Sequence, residues 1–176
     1  MGPGHLGLGF AVKPTADKVP LWLLLIATEV LDILSFIFEA LGIERFAASR
    51  MDLKLGLQII TPGYIPWSHG LFMSIVWSLL AGWIAYRFYR DSRTGVVVGS
   101  LVFSHWVLDF LVHPPDLPLF FKDSPLIGLG LWTSGPGFIA SMIIEVILLT
   151  GGIALYFSYR KRSSHNLVRI DATQDN

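Results

Sequence analysis

Four stretches of this 176-residue chain are each long and apolar enough to cross a bilayer, and they fix the class of fold before any other feature is weighed. They run from Leu21 to about Ile43, from Trp67 to about Tyr86, from Thr94 to His113 and from Gly137 to Tyr159. A hydrocarbon core about 30 Å thick needs roughly 20 helical residues. Every backbone N–H and C=O in lipid must be satisfied within its own segment, so these spans are expected to be helices. Composition agrees: 53% of residues are hydrophobic and 15% charged, where a soluble domain carries about 25% charged residues. The expected fold is all-α, a polytopic membrane helix bundle with four transmembrane helices. Residues 1–160 form a single membrane-embedded domain, and 161–176 form a cytoplasmic polar tail without regular structure.

Gly2 to Val12 is apolar, rich in glycine and too short to span, so it is expected to be a re-entrant or half-membrane helix buried against protein. Its start lacks the basic region of a cleaved signal, which leaves the first long apolar segment as an uncleaved insertion signal. Glu44 to Ile65 reads as a loop, with a short amphipathic helix near Phe46 to Leu57. Pro66 suits the first turn of the next helix. Pro114 to Pro136 is a second long loop. Four spans place the N-terminus, the Arg87–Arg93 loop and the tail on one side. Lys13, Lys18, Arg87, Arg90, Arg93, Arg160, Lys161, Arg162 and Arg169 lie there, against Arg45, Arg50, Lys54 and Lys122 on the other. The excess of positive charge assigns the first side, and both termini, to the cytoplasm. Trp22, Trp67 and Trp132 fit interfacial belts.

Polar groups inside the spans are costly without partners, and they cluster here. His105, Asp109 and His113 are each four residues apart, a turn of only about 40° per step, so they form one stripe on a helix. Pro114 ends that helix, which leaves His113 at the rim. Glu29 and Asp32 sit three apart in the first span, whereas Glu39 lies near a helix end and is expected to be solvated. Ser68-His69 opens the second span, Glu145 interrupts the apolar run of the fourth, and His5 sits in the N-terminal segment. By depth these groups can meet in the outer half of the membrane, His5 among them if its segment is re-entrant. For each the bland alternative is a hydrogen-bonded or interfacial polar group. That alternative is weakest for His105 and Asp109, and for His5, a lone histidine, it is the usual case.

Zero formal net charge gives no basic face for nucleic acid, and the absence of cysteine excludes disulfides, thiolate sites and a cysteine nucleophile. Histidines with carboxylates suit a divalent metal, Zn²⁺ foremost, with Mn²⁺ or Fe²⁺ also allowed. The candidate ligands His5, Asp32, His69, His105 and Asp109 exceed one structural tetrahedron, which allows one or two ions. Glu29 and Glu145 are the candidates for an acid/base role or for supporting a ligating histidine. No Gly-x-Ser-x-Gly elbow or P-loop is present.

The order of these motifs carries a resemblance. His5-Leu6-Gly7-Leu8-Gly9-Phe10-Ala11 leads through Lys18-Val19-Pro20-Leu21-Trp22 to Glu29-x-x-Asp32. Ser68-His69, Ser104-His105-Trp106-Val107-Leu108-Asp109 and Gly128-Leu129-Gly130-Leu131-Trp132-Thr133-Ser134 follow, ahead of Glu145. Over roughly residues 5 to 160 the chain resembles the bacterial inner-membrane proteins regarded as membrane-bound metal-dependent hydrolases, a family with a LexA-regulated member. Many members carry Asp-x-Asp-His after the first span and His-Arg-Gly-x-Thr-His-Ser before the second. This chain has Glu29-Val30-Leu31-Asp32 and Pro66-Trp67-Ser68-His69, hence fewer ligands. The resemblance implies a bacterial cytoplasmic-membrane location and, through a distant likeness to zinc-dependent phospholipase C, a phosphoester or lipid-like substrate.

The expected function is therefore metal-dependent hydrolysis through a metal-activated water, with membrane lipids and a small-molecule or lipid substrate as partners, no nucleic acid, and a homodimer left open. The alternative is a small transporter or an ion- or proton-coupled permease using the same cluster, although four spans without an internal repeat are few for a monomeric one. A third reading is a non-catalytic membrane protein with a structural metal.

Overall fold

The computed structural model describes residues 3–46, 48–52, 57–61 and 63–174. Five helices dominate it: α1 (Gly4–Ala11), α2 (Leu21–Ala40), α3 (Leu71–Tyr89), α4 (Ser92–Val112) and α5 (Gly135–Gln174). Four of them are long and apolar enough to cross a membrane: Leu21–Ala40, Leu71–Tyr89, Ser92–Val112 and Gly135–Ser163 within α5. The protein thus has the helices of a polytopic membrane protein, with α1, at 8 residues, too short to span.

Helices α3 and α4 form a tight hairpin whose link shrinks to Arg90-Asp91, since α3 runs to Tyr89 and α4 begins at Ser92. Arg90 takes a left-handed conformation, and Asp91 caps α4 by accepting from the Thr94 backbone N–H at 2.9 Å. Small residues let the two helices close up: a Cβ at Gly82 would lie 2.8 Å from the carbonyl oxygen of Gly95.

The buried core joins α2 to α4 through Leu24, Leu31, Leu101, Val102 and Trp106. Trp106 is stacked between Phe103 and Phe110, with ring centroids 5.9 and 5.6 Å away. On the other flank α1 lies against α5. A side chain at Gly7 would strike the backbone of Leu148, and one at Gly152 would strike the backbone of Gly7. Glycine at both positions is what allows the two helices to meet backbone to backbone.

Three expectations need correction. The stretch read as an amphipathic helix forms an antiparallel ribbon instead, β1 (Ala48–Asp52) on β2 (Leu57–Thr61), with Ala48 opposite Thr61; residues 47 and 53–56 lie outside the described residues. Leu57-Gln58-Ile59-Ile60-Thr61 is rich in β-branched residues, which favour a strand. Pro66 does not start α3, because residues 66–70 form a separate turn and the helix begins at Leu71. A side chain at Gly70 would strike the carbonyl of Pro66, so this turn requires glycine. The tail is helical: α5 continues to Gln174, since no proline or glycine follows Gly152 to stop it; 175–176 lie outside the described residues. The second long loop holds a short ribbon, β3 (Leu117–Pro118) on β4 (Leu126–Ile127), and a 3-10 turn at Leu131–Thr133.

Candidate metal centre

Four pieces of chain converge on one cluster: α1 with His5, the middle of α2 with Asp32, the 66–70 turn with His69, and the second half of α4 with His105 and Asp109. The ligand atoms of Asp32, His69 and His105 lie within 4.8 Å of one another, and so do those of His5, His105 and Asp109. These groups could hold a metal ion, and together they contain all five residues singled out as ligands from the sequence. The side chains of His105 and Asp109 are fully buried, that of His69 is 6% exposed and that of Asp32 24%, which makes Asp32 the open corner of the site.

The turn carrying His69 is pinned from both ends. The Trp106 indole N–H donates to the carbonyl oxygen of His69 at 2.9 Å, tying it to α4. The buried carboxylate of Glu44 accepts from the backbone N–H groups of Trp67 and Ser68 at 2.7 and 2.8 Å. The sequence reading passed over Glu44, which stands beyond the end of an apolar run and reads there as the first charge of a loop. Only the fold shows that its partners come 23 and 24 residues later.

His105 carries the chemical argument. Its Nδ1 lies 2.6 Å from the carbonyl oxygen of Thr28 on α2. A carbonyl only accepts, so Nδ1 bears the proton, and in a neutral imidazole Nε2 then presents its lone pair. That atom faces carboxylate oxygens of Asp32 and Asp109 at 3.4 and 3.3 Å. His69 Nε2 faces the same two residues at 3.2 and 3.3 Å. A lone pair turned toward two carboxylates is repulsive unless positive charge lies between them. His105 Nε2 and both oxygens of Asp109 are buried without a hydrogen-bond partner among the described residues. A cation shared among these atoms resolves all three, so the residues present fit a metal ion. Both triads include His105, and with Nδ1 committed to Thr28 only the lone pair of Nε2 can serve a metal, so His105 serves one ion at a time.

The imidazole of His5 packs on that of His105, with centroids 4.5 Å apart. Beside it Glu145, 7% exposed, lines a cavity of about 20 Å³ together with His5, Gly4 and Ser141. That is room for about one water. Glu145 Oε2 makes no hydrogen bond among the described residues. Glu29 is half-buried and belongs to neither triad; its Oε1 accepts from the Thr28 hydroxyl at 3.3 Å. His113 sits at the rim, 3.8 Å from Asp109 and 3.2 Å from Asp116. Glu39 is exposed.

Comparison with models of protein families, with curated proteins and with solved structures returned no match.

Proposed function

We propose that the protein is a metal-dependent hydrolase of the bacterial cytoplasmic membrane, acting on a phosphoester or lipid-like substrate in the outer half of the bilayer. One observation carries this reading: the proton-bearing Nδ1 of His105 is fixed by a backbone carbonyl, which aims the opposite nitrogen at two carboxylates and leaves a place for a cation. Asp32, His69 and His105 would hold the ion, with Asp109 and His5 closing the site from α4 and α1. The imidazole–carboxylate separations of 3.2, 3.3, 3.3 and 3.4 Å compare well with the roughly 3.3 Å between two donors bonded to one tetrahedral Zn²⁺ at about 2.0–2.1 Å. A divalent ion bound there supplies Lewis acidity and lowers the pKa of water.

The chain's own groups supply the rest. Asp32 is the least buried of the candidate ligands in α2 and α4, and Glu29 lies one turn away on a nearby face of the same helix. A substrate entering sideways from lipid would meet this corner first. Glu29 is the proton acceptor: as water oxygen bonds to phosphorus and the ester P–O bond breaks, its carboxylate takes the proton from water and returns it to the departing oxygen. Glu145 borders His5 and supports its placement. The positive-inside charge pattern favours cytoplasmic termini.

Metal analysis of the purified protein, with hydrolysis assayed over phosphoesters and phospholipids, tests this reading. Stoichiometric metal with turnover supports it; absence of metal, with His105→Ala and Asp109→Ala leaving function intact, overturns it. A permease is favoured by the sharing of His105 between two triads, which gives an ion two neighbouring positions. Metal flux into proteoliposomes without hydrolysis would decide for that reading.

A further inference from the structure

We propose that Glu44, acting through the hydroxyl of Ser68, sets the tautomer of His69 so that its Nε2 is available as a metal donor. Glu44 is a positioning residue here, and its role rests on the metal-centre reading above. Its side chain is fully buried. Oε1 is occupied by the two backbone N–H groups of the turn, and Oε2 lies 2.6 Å from the Ser68 hydroxyl. Ser68 Oγ in turn lies 2.9 Å from Nδ1 of His69.

The direction of each bond follows from what each group can give. A carboxylate only accepts, and a serine has one hydroxyl proton, so that proton goes to Glu44 Oε2. Ser68 Oγ then has only lone pairs to offer His69, and Nδ1 must donate to it. That proton on Nδ1 leaves Nε2 as the one nitrogen that can give a lone pair to a metal; without metal, Nε2 is within hydrogen-bond distance of Asp32 Oδ1, at 3.2 Å, and donates to it. That nitrogen points at Asp32 and Asp109, 3.2 and 3.3 Å away. The Thr28 carbonyl fixes His105 in the same sense, so two unrelated acceptors, one a backbone carbonyl and one a buried carboxylate, orient both imidazoles alike. Such partners hold a ligating histidine in one ring orientation, and their loss typically weakens metal binding 10- to 100-fold.

Glu44 is also tied to the helix that carries Asp32. After α2 the chain turns at Gly42, at φ 71°, and the backbone N–H groups of Ile43 and Glu44 both return to the carbonyl of Phe38, at 2.8 and 3.1 Å. This closure of the helix end makes Asp32 and Glu44 parts of one rigid piece. The turn bearing His69 therefore docks against the helix that supplies its neighbouring ligand.

The test uses the full-length protein in detergent with Glu44→Gln, Ser68→Ala and the double variant. Glutamine keeps the shape and one oxygen for the backbone N–H groups, but its amide donates to Ser68 Oγ. The hydroxyl proton then turns to His69 Nδ1, which no longer holds a proton of its own. In the metal-free protein, ¹⁵N shifts of His69 should report a protonated Nδ1 in the wild type and an unprotonated Nδ1 in Glu44→Gln. Zn²⁺ affinity, measured by competition with a chromogenic chelator, should fall about 10- to 100-fold in Glu44→Gln. Glu44→Gln should cost nothing further once Ser68 is alanine. An unchanged His69 ¹⁵N pattern in Glu44→Gln, or additive losses in the double variant, overturns the proposal. A wild-type protein that binds no Zn²⁺ yet shows the switch at Nδ1 overturns the metal reading and supports the role of Glu44.

Discussion

His105 on α4 is bonded to the backbone of α2, its Nδ1 lying 2.6 Å from the carbonyl oxygen of Thr28. Asp32 is one helical turn further along α2, so the turn that orients the imidazole also delivers a carboxylate to its other face. Helix–helix docking and ligand geometry are the same event here. His105→Ala is expected to reduce Zn²⁺ affinity by on the order of 100-fold or more, since it removes the donor common to both triads. Metal content by elemental analysis, against Asp109→Ala and His113→Ala, checks this. His113→Ala should keep its metal, because its imidazole lies at the rim and pairs with Asp116.

Glu29→Gln separates chemistry from binding. Glu29 belongs to neither triad, so metal content should match the wild type. kcat on a hydrolysed phosphoester should fall by about 10²- to 10⁴-fold, the usual loss for a general base. A wild-type kcat in this variant would remove Glu29 from the mechanism.

Gly7→Leu addresses the docking of α1. The new side chain meets the backbone of Leu148, a contact that cannot yield as a side chain would. Forced overpacking of this kind costs about 1–3 kcal/mol. The melting temperature in detergent should drop. Metal affinity should drop with it, because His5 moves away from His105. Loss of stability with unchanged metal affinity would show that His5 is not a ligand.

Orientation in the membrane can be read by labelling, because the chain has no cysteine. Lys122→Cys should react with a membrane-impermeant maleimide on intact cells, and Arg93→Cys only after permeabilisation. The reverse pattern would place the site in the inner half of the bilayer.

The α4 cap gives a pH dependence. The Thr94 hydroxyl, at 2.5 Å, and the Thr94 backbone N–H hold the Asp91 carboxyl below its ordinary value of 3.8. A carboxyl depressed in the folded state stabilises the protein above that ordinary value, and the contribution is lost as pH falls through the lower folded value. The difference in melting temperature between wild type and Asp91→Ala should therefore be full near neutrality and shrink below about pH 4.

The parts of the site legible in the sequence are those whose cost is local. An imidazole and a carboxylate one turn apart in an apolar helix announce themselves, as do Asp32 in α2 and Glu145 in α5, because lipid penalises each without reference to anything distant. Depth along the spans put His69 and Asp32 near His105 and Asp109, and His5 joined them only on the condition that its segment was re-entrant. Glu44 was not legible. Outside a span a charge costs nothing, and its burial arises only from the fold of the 66–70 turn. The ribbon at Ala48–Asp52 and Leu57–Thr61 was missed for a related reason: a short mixed stretch satisfies helix and strand patterns alike until its partner is known.

The backbone contact between Gly7 and Gly152 has a consequence for how the protein is made. His5 belongs to the first helix, yet that helix rests on the last one, and α5 emerges from the ribosome only after every other span. The N-terminal segment can meet α2 early, through Gly9 against Leu24 and Leu25, but its contact with α5 must wait until α3 and α4 have been made. The α1–α5 contact beside the cluster therefore forms only once α5 is made, and a chain stalled before Gly152 would carry all five side chains with α1 held by α2 and α4 alone.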